Sequence, residues 1–196
     1  SSPTGRERPG VASVFASSGG DSEVLDRICT ALTDPDRAVS PTHFHQSVHN
    51  TPAGYWAIAT GCRQASLSLS AYDGSFAAGL REAAGLAWTE GGRVLLVAYD
   101  LPLPPTLAQR RVIVAPFAVA LLLNPAATGQ RLAVLRLPPT AAGPADRLDD
   151  PGLERLRTGN PAARSLPLLR AIVRREAATL TLAASDDALF EVDVAP

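Results

Sequence analysis

The sequence predicts an α/β domain built on a mixed, mainly parallel sheet flanked by helices, followed by a small α+β extension with a hairpin. The first observation is an apolar run at residues 11–17, which has the length of one buried strand. The second is a succession of strand, helix and strand between residues 65 and 98. Such a crossover is right-handed and joins parallel strands, so it predicts a parallel sheet. The third is a pair of alternating segments between residues 179 and 194.

The amino-terminal part predicts a tail, a strand and an amphipathic helix. Residues 1–10 are polar and are expected to be disordered, and residues 11–17 form the first strand. Asp21 or Ser22 caps the helix that follows, and Asp34-Pro35 ends it. Its apolar residues recur at helical spacing and are expected to face the core: Val24, Leu25, Ile28, Cys29 and Leu32.

Two helices and a strand are predicted next. Residues 55–60 are apolar and predict a helix that ends near Gly61. Residues 65–70 alternate between serine and leucine, which is typical of a strand with one packed face. After a turn at residues 71–74, Ser75 opens a long helix with its inner side formed by Phe76, Leu80, Ala83, Ala84, Ala87 and Trp88.

Gly91-Gly92 ends the long helix, and residues 94–98 predict a continuously buried strand that leads to Asp100. Both faces of the parallel sheet are therefore expected to be covered. Residues 112–115, 117–123 and 132–137 also have strand character, and short helices are expected at 153–157 and 165–175.

We divide the chain into three parts. Residues 1–10 are the tail, residues 11–137 form the main α/β domain, and residues 138–196 form the carboxyl-terminal extension that packs on it. The closing hairpin has its strands at 179–184 and 189–194, on either side of residues 185–187.

The composition excludes several classes of function. The net charge is −1 and there is no basic run, which argues against nucleic acid as a partner. All 18 basic residues are arginine, so lysine-based covalent chemistry is excluded. No apolar run is long enough for a membrane span, and a cytoplasmic protein is the expectation.

All three histidines lie in residues 40–56, which makes this stretch the first candidate for a site. His45 and His49 would share a face if the stretch were helical, as in some zinc sites. Pro41 and Asn50-Thr51-Pro52 argue against a regular helix, however, and no acid or cysteine nearby offers a further ligand. We therefore expect no metal, and read the stretch as a loop that Asn50 and Gly54 fix.

Three other residues are candidates for chemistry. Cys62 follows Gly61 and could act with His49, although nothing marks it as lying on a nucleophile turn. Ser75 lies at a helix start, where a developing negative charge would be stabilised, but its expected role is to cap that helix. Asp100 at a strand end occupies a typical site position of a parallel sheet, or that of a solvated turn residue.

The order of several motifs resembles the amino-terminal half of a beta-ketoacyl synthase. Residues 14–19 (Val-Phe-Ala-Ser-Ser-Gly), residues 39–54 with Ser-Pro-Thr and Ser-Val-His-Asn, residues 65–80 and residues 94–100 carry the resemblance. The resemblance spans about residues 11–124. More specifically, the chain resembles the short ketosynthase-like proteins of aryl-polyene clusters, which are regarded as chain length factors.

The resemblance implies a thiolase-like fold, here amounting to about one thiolase half. In that fold the strand before the nucleophile helix pairs with its counterpart in a partner subunit. The matching interface strand is formed by Ala65, Ser66, Leu67, Ser68, Leu69 and Ser70. The nucleophilic cysteine of a ketosynthase would fall at Tyr72, Asp73, Gly74 or Ser75, and none of these is cysteine.

The resemblance also implies two catalytic histidines from the carboxyl-terminal half, and no histidine follows His49. We therefore expect a non-catalytic, chain-length-factor-type subunit that needs no cofactor. It would pair with an active ketosynthase, and would meet acyl carrier protein through that complex. The residues expected to shape the acyl-chain tunnel are His43, Phe44, His45, His49, Asn50, Tyr72 and Phe76.

Two other functions stay open. One is an acyl transferase or thioesterase that uses Ser75 with His49, which would require a hydrogen bond between the two side chains. The other is a homodimeric acyl-binding scaffold that has no ketosynthase partner.

Overall fold

A computed structural model describes residues 10–126, 131–138, 144–184 and 188–196 of the protein. The predicted tail lies almost entirely outside these residues, as does the turn of the closing hairpin. The strands are β1 (Ala12–Ala16), β2 (Ser66–Leu69), β3 (Val94–Asp100), β4 (Phe117–Leu123), β5 (Val134–Arg136), β6 (Ala178–Ala183) and β7 (Leu189–Ala195). The helices are α1 (Ser22–Thr33), α2 (Pro41–Gln46), α3 (Thr51–Thr60), α4 (Ser75–Glu90), α5 (Pro105–Ala108), α6 (Pro151–Gly159) and α7 (Leu166–Arg174).

The described strands form two sheets. The first has the order β2-β1-β3-β4, in which β1 runs parallel to both β2 and β3, and β4 is antiparallel to β3. The second is antiparallel, with the order β5-β7-β6. The predicted mainly parallel sheet and the predicted hairpin are therefore both confirmed.

Helix α4 lies in a core shared by the two sheets. Burial of each large side chain in this core contributes about 1.5–3 kcal/mol. Gly79 allows α4 to approach the first sheet closely, because a Cβ there would stand 2.8 Å from the Ala16 Cβ. The core brings together residues of α4 and of both sheets: Val14, Ala16, Phe76, Leu80, Ala83, Val94, Leu96, Leu180, Leu182, Phe190 and Val192.

The carboxyl-terminal residues thus complete the core on the far side of α4. Strand β5, which precedes the predicted boundary at residue 137, pairs with β7, which follows it. The division into 11–137 and 138–196 stays a prediction, since the two parts share one core.

Helix boundaries follow the predicted signals. Asp21 caps α1, its carboxylate accepting a hydrogen bond of 3.1 Å from the Val24 amide. Gly61 and Gly91 follow α3 and α4 with φ of 67° and 63°, the left-handed conformation that glycine adopts without strain. These three positions confirm the predicted start or end of their helices.

Several burial predictions are wrong. Trp88 is 82% exposed, and Leu25 and Leu32 are about half exposed. Cys29, expected to be packed, is also exposed. Val24 is the one buried residue of α1 and Ile28 is half-buried, so much of the apolar stripe of this helix is exposed.

Two strand predictions also need correction. Residues 112–115 are not a strand; the regular pairing begins at β4. Strand β3 alternates between buried and half-buried residues instead of being buried throughout. Its second face is only partly covered, and on β4 the side chain of Leu122, opposite Leu95, is 56% exposed.

No helix among the described residues is both long enough and apolar enough to cross a membrane.

Candidate functional site

The carboxyl ends of the parallel strands meet around the carboxylate of Asp100. Its Oδ1 accepts hydrogen bonds from the Ser18 amide at 2.8 Å, the Ser18 hydroxyl at 2.6 Å and the Ser17 hydroxyl at 3.3 Å. Ser70, just after β2, donates to the Ser18 carbonyl at 3.1 Å. The three parallel strands are therefore tied together at the edge where sites of such sheets form.

Asp100 is a buried residue and not a solvated turn residue, with only 2% of it exposed. Burial raises the pKa of its carboxyl group, although the hydrogen bonds from Ser18 and Ser17 act in the opposite direction. Its Oδ2 is buried and has no hydrogen-bond partner among the described residues. Burial also raises the pKa of the neighbouring Tyr99 hydroxyl.

The turn predicted to correspond to the ketosynthase nucleophile joins β2 to α4. Residues Tyr72–Gly74 form one 3₁₀ turn, and Tyr72 has a φ of 50°, which is uncommon for a residue with a side chain. Gly74, not Ser75, occupies the cap position of α4. The expected capping role of Ser75 is therefore wrong.

The Ser75 hydroxyl instead closes the turn that precedes it. It accepts a hydrogen bond from the Ala71 amide at 3.0 Å and donates one to the Tyr72 carbonyl at 2.7 Å. The residue is 1% exposed. Among the described contacts, no hydrogen bond joins Ser75 to His49, whose Nε2 lies 3.2 Å from the Ser17 carbonyl oxygen.

The histidine stretch is more regular than expected. Pro41 begins the short helix α2, with Ser40 as its cap, and α3 begins at Thr51. His45 is therefore in α2, while His49 lies in the turn between the helices, so the two do not share a helix face. No group of three potential metal ligands occurs in the described part of the chain.

Neither residue expected to fix this stretch does so through its side chain or a special conformation. Asn50 makes no capping hydrogen bond to α3. Gly54 lies within that helix, and a Cβ at this position would meet nothing within 4 Å. The prolines at the helix starts and the Ser40 cap order the stretch instead.

The predicted tunnel residues occupy different environments. Phe76 is 1% exposed and belongs to the central core, whereas Tyr72 is 58% and Phe44 is 65% exposed. His43 is half-buried and His45 is exposed. Their role in a tunnel stays a prediction.

Among the described strands, the predicted interface strand lies at the edge of the first sheet, where β2 pairs with β1 alone. Leu67 is 40% exposed. Ser66 accepts a hydrogen bond of 2.8 Å from the Ser13 hydroxyl, whereas the buried Ser68 hydroxyl has no partner among the described residues. Cys62, before this strand, is half-buried, and its thiol lies 3.3 Å from the Val11 carbonyl oxygen.

Sequence reasoning missed three polar residues that lie around the turn at Tyr72–Ser75. Arg111 and Arg164 both bind the Asp73 carboxylate, and Arg111 stacks over the Tyr72 ring with 4.0 Å to its centroid. Asn160, 1% exposed, donates to the carbonyl oxygens of Asp100 and Ala115 at 3.1 and 2.9 Å. The dipeptide Asn160-Pro161 is a sequence signal for a turn and could have drawn attention to Asn160. No sequence pattern marks Arg111 or Arg164.

Solved structures with the same fold come from ketosynthase systems. The chain is similar to one in the complex of a ketosynthase (ApeO) with its chain length factor (ApeC) from Xenorhabdus doucetiae, at 26% identity and a TM-score of 0.70. The match covers 94% of this chain and 69% of that one. The ishigamide ketosynthase/chain length factor shares the fold, at 16% identity and a TM-score of 0.56, with 85% of this chain and 47% of that one covered.

These neighbours confirm the predicted thiolase-like fold. A comparison with curated proteins finds no match. The family model of the beta-ketoacyl synthase amino-terminal domain matches residues 3–188, nearly the whole chain. The chain therefore belongs to the beta-ketoacyl synthase amino-terminal domain family.

Proposed function

We propose that the chain is a non-catalytic subunit of the chain-length-factor type, which pairs with an active beta-ketoacyl synthase and shapes the tunnel for the growing acyl chain. The observation that carries the proposal is the turn at Tyr72–Ser75. By the resemblance to ketosynthases this turn is expected to correspond to the nucleophile position, and it contains no cysteine. Its one hydroxyl at the helix start is buried and hydrogen-bonded to the turn backbone.

The remaining nucleophile candidates support the same conclusion. Cys62 lies before β2, at the opposite end of that strand from the turn, and Cys29 lies in the exposed part of α1. The imidazole of His49 faces a backbone carbonyl. An acyl transferase or thioesterase that uses Ser75 and His49 would require a hydrogen bond between their side chains. Each of the two side chains instead contacts backbone groups.

The exposed edge of β2 supports a paired subunit. The Ala65 and Leu69 carbonyls accept hydrogen bonds from the amides of Ser13 in β1 and of Ser17 directly after it. Because backbone groups alternate along a strand, the amides and carbonyls of Ser66 and Ser68 point away from β1. An unpaired edge of this kind is a surface on which a second strand can pair. The similar ketosynthase and chain length factor from Xenorhabdus doucetiae form a complex.

The expected mechanism is steric. Tyr72 holds an aromatic ring at the turn, and Arg111 stacks on it. Burial of each methylene of an acyl chain contributes about 0.8 kcal/mol to binding, and a methylene that finds no space in the tunnel does not gain this free energy. A fixed aromatic group at the closed end of a tunnel would therefore limit chain length.

Co-purification tests the pairing. The chain is co-expressed with a tagged beta-ketoacyl synthase and recovered through that tag. The Ser68→Pro variant removes an outward amide that β1 does not use, together with a hydroxyl that has no partner in the described part of the chain. Ser68→Ala is the matched control, because it removes the same hydroxyl and keeps the amide.

We expect the wild-type chain and Ser68→Ala to co-purify with the ketosynthase, and Ser68→Pro to be lost from the complex while it stays folded by circular dichroism. A chain that forms a stable homodimer by light scattering and ignores the ketosynthase would instead support the acyl-binding scaffold. Equal recovery of all three forms would show that β2 is not part of the interface.

A further inference from the structure

A pair of arginines shares one carboxylate beside the turn at Tyr72–Ser75. Asp73 Oδ1 contacts Arg111 Nη2, and Asp73 Oδ2 lies 3.0 Å from Arg164 Nη2. The arginine side chains are 19% and 13% exposed, respectively. The three residues come from segments far apart in sequence, so the fold itself creates this concentration of charge.

The cluster has an excess of positive charge and of hydrogen-bond donors. Two guanidinium groups offer five N–H donors each, and a carboxylate cancels only one of the two charges. Arg164 Nη1 is buried and has no hydrogen-bond partner among the described residues. A charged group removed from water without a full set of partners is costly.

Neighbouring groups compensate this charge poorly. The Tyr72 ring over which Arg111 stacks is uncharged. The Asp100 carboxyl interacts with Arg111, but burial raises its pKa and so disfavours its charged form. The side-chain amide of Asn160 already forms hydrogen bonds with backbone groups through both its oxygen and its nitrogen.

The same residues line a cavity of about 80 Å³. A water molecule occupies about 30 Å³ in the liquid, so the space suits one small group, not an acyl chain. The lining includes both arginines, Asp73, Tyr72 and Asn160. Planar guanidinium groups match the oxygens of phosphate and carboxylate groups in two-point contacts.

We propose that this cavity is a binding site for a small oxyanion, a phosphate or carboxylate group held by Arg164 and Arg111 next to the nucleophile-equivalent turn. Asp73 is the competing internal anion that holds the arginines in place when the site is empty. The site does not depend on the presence of a ketosynthase partner.

Calorimetric titration of the full chain tests the proposal. Inorganic phosphate and acetate are titrated separately at constant ionic strength, which distinguishes a phosphate site from a carboxylate site. Arg164→Gln should weaken binding roughly tenfold, because a hydrogen-bonded charge is lost. Arg170→Gln is the matched control, since Arg170 pairs with Asp149 outside the cavity and should bind as the wild type does.

Asp73→Asn separates a binding site from a purely structural clamp. Removing the competing carboxylate should tighten anion binding about fivefold, the effect of one unit charge at about 4 Å in water. A structural clamp would lose stability on this change and gain no affinity. Failure of both anions to bind the wild-type chain, unchanged affinity in a folded Arg164→Gln, or weaker binding by Asp73→Asn would each overturn the proposal.

Discussion

Gly74 and the carbonyl of Ala184 are in backbone contact across the core. A Cβ placed on Gly74 would stand 1.4 Å from the Ala184 oxygen, far inside any real contact distance. Gly74 caps α4, and Ala184 directly follows β6. The start of the central helix and the second sheet are therefore held together at a point where only glycine fits.

The Gly74→Ala substitution should destabilise the protein by about 1–3 kcal/mol, because the second sheet must move to admit the methyl group. The free energy of unfolding from urea titration measures the effect. Gly85→Ala in the same helix is the control: a Cβ there meets nothing within 4 Å. This control should be more stable by up to about 1 kcal/mol. Equal effects of the two substitutions would mean that the close approach is absent.

Ser75→Ala should cost about 1 kcal/mol of stability, since the hydroxyl closes the turn with two hydrogen bonds. It should leave the product output of the ketosynthase complex unchanged. Ser47→Ala, which removes an exposed hydroxyl bond to the Phe44 carbonyl, should cost less. Loss of acyl transfer or hydrolysis in Ser75→Ala, with folding intact, would restore the nucleophile hypothesis.

Tyr72→Ala should lengthen the acyl products of the complex, because it removes the ring expected to limit the tunnel. Mass spectrometry of the products made by the co-purified pair provides the measurement. Trp88→Ala, which removes an aromatic side chain that is 82% exposed on α4, should leave product length unchanged. Identical product lengths in wild type and Tyr72→Ala would exclude Tyr72 as the limiting group.

Asp100 should make the protein less stable as the pH rises. Burial raises the pKa of its carboxyl above the ordinary 3.8, so the folded state binds this proton more tightly than the unfolded chain does. Its contribution is therefore complete below pH 3.8 and is lost as the pH rises through the folded-state pKa. The stability of Asp100→Asn relative to wild type should increase over that interval in urea titrations at several pH values.

The control for this measurement is Asp149→Asn, because the Asp149 side chain is 98% exposed. Its stability relative to wild type is measured over the same pH range. A stability difference between Asp100→Asn and wild type that is independent of pH would contradict a raised pKa at Asp100.

Glu154 should have the opposite dependence on pH. Hydrogen bonds from Arg157, together with one from the Leu148 amide, lower the pKa of its carboxyl from 4.5 to about 2. Its contribution is present above pH 4.5 and is lost as the pH falls through about 2. Glu154→Gln should therefore be less stable than wild type at neutral pH, with the difference shrinking on acidification.

Glu23→Gln serves as the reference for Glu154, because Glu23 forms an exposed pair with Arg27 on α1. Such pairs contribute at most about 1 kcal/mol. An equal loss of stability at neutral pH in both variants would show that Glu154 is no more than a surface ion pair.

The regular elements near the site could be predicted from sequence because their signals are local. The apolar run before Ser17, the Ser/Leu alternation of β2 and the capping glycine Gly91 each act within a few residues. The same local reasoning assigned Trp88 and Cys29 to the core, and both are exposed. Periodicity shows which side of a helix is apolar, but not whether another element covers it.

The sequence by itself determined most of the helices and strands, the absence of a cysteine at the turn after β2, and the concentration of all histidines in one stretch. Only the tertiary structure brought Arg111 and Arg164 to Asp73, and Ser18 to Asp100. Those partners are separated by 38 to 91 residues along the chain. Contacts over such separations depend on how the two sheets pack around α4, and no local pattern of residues encodes that packing.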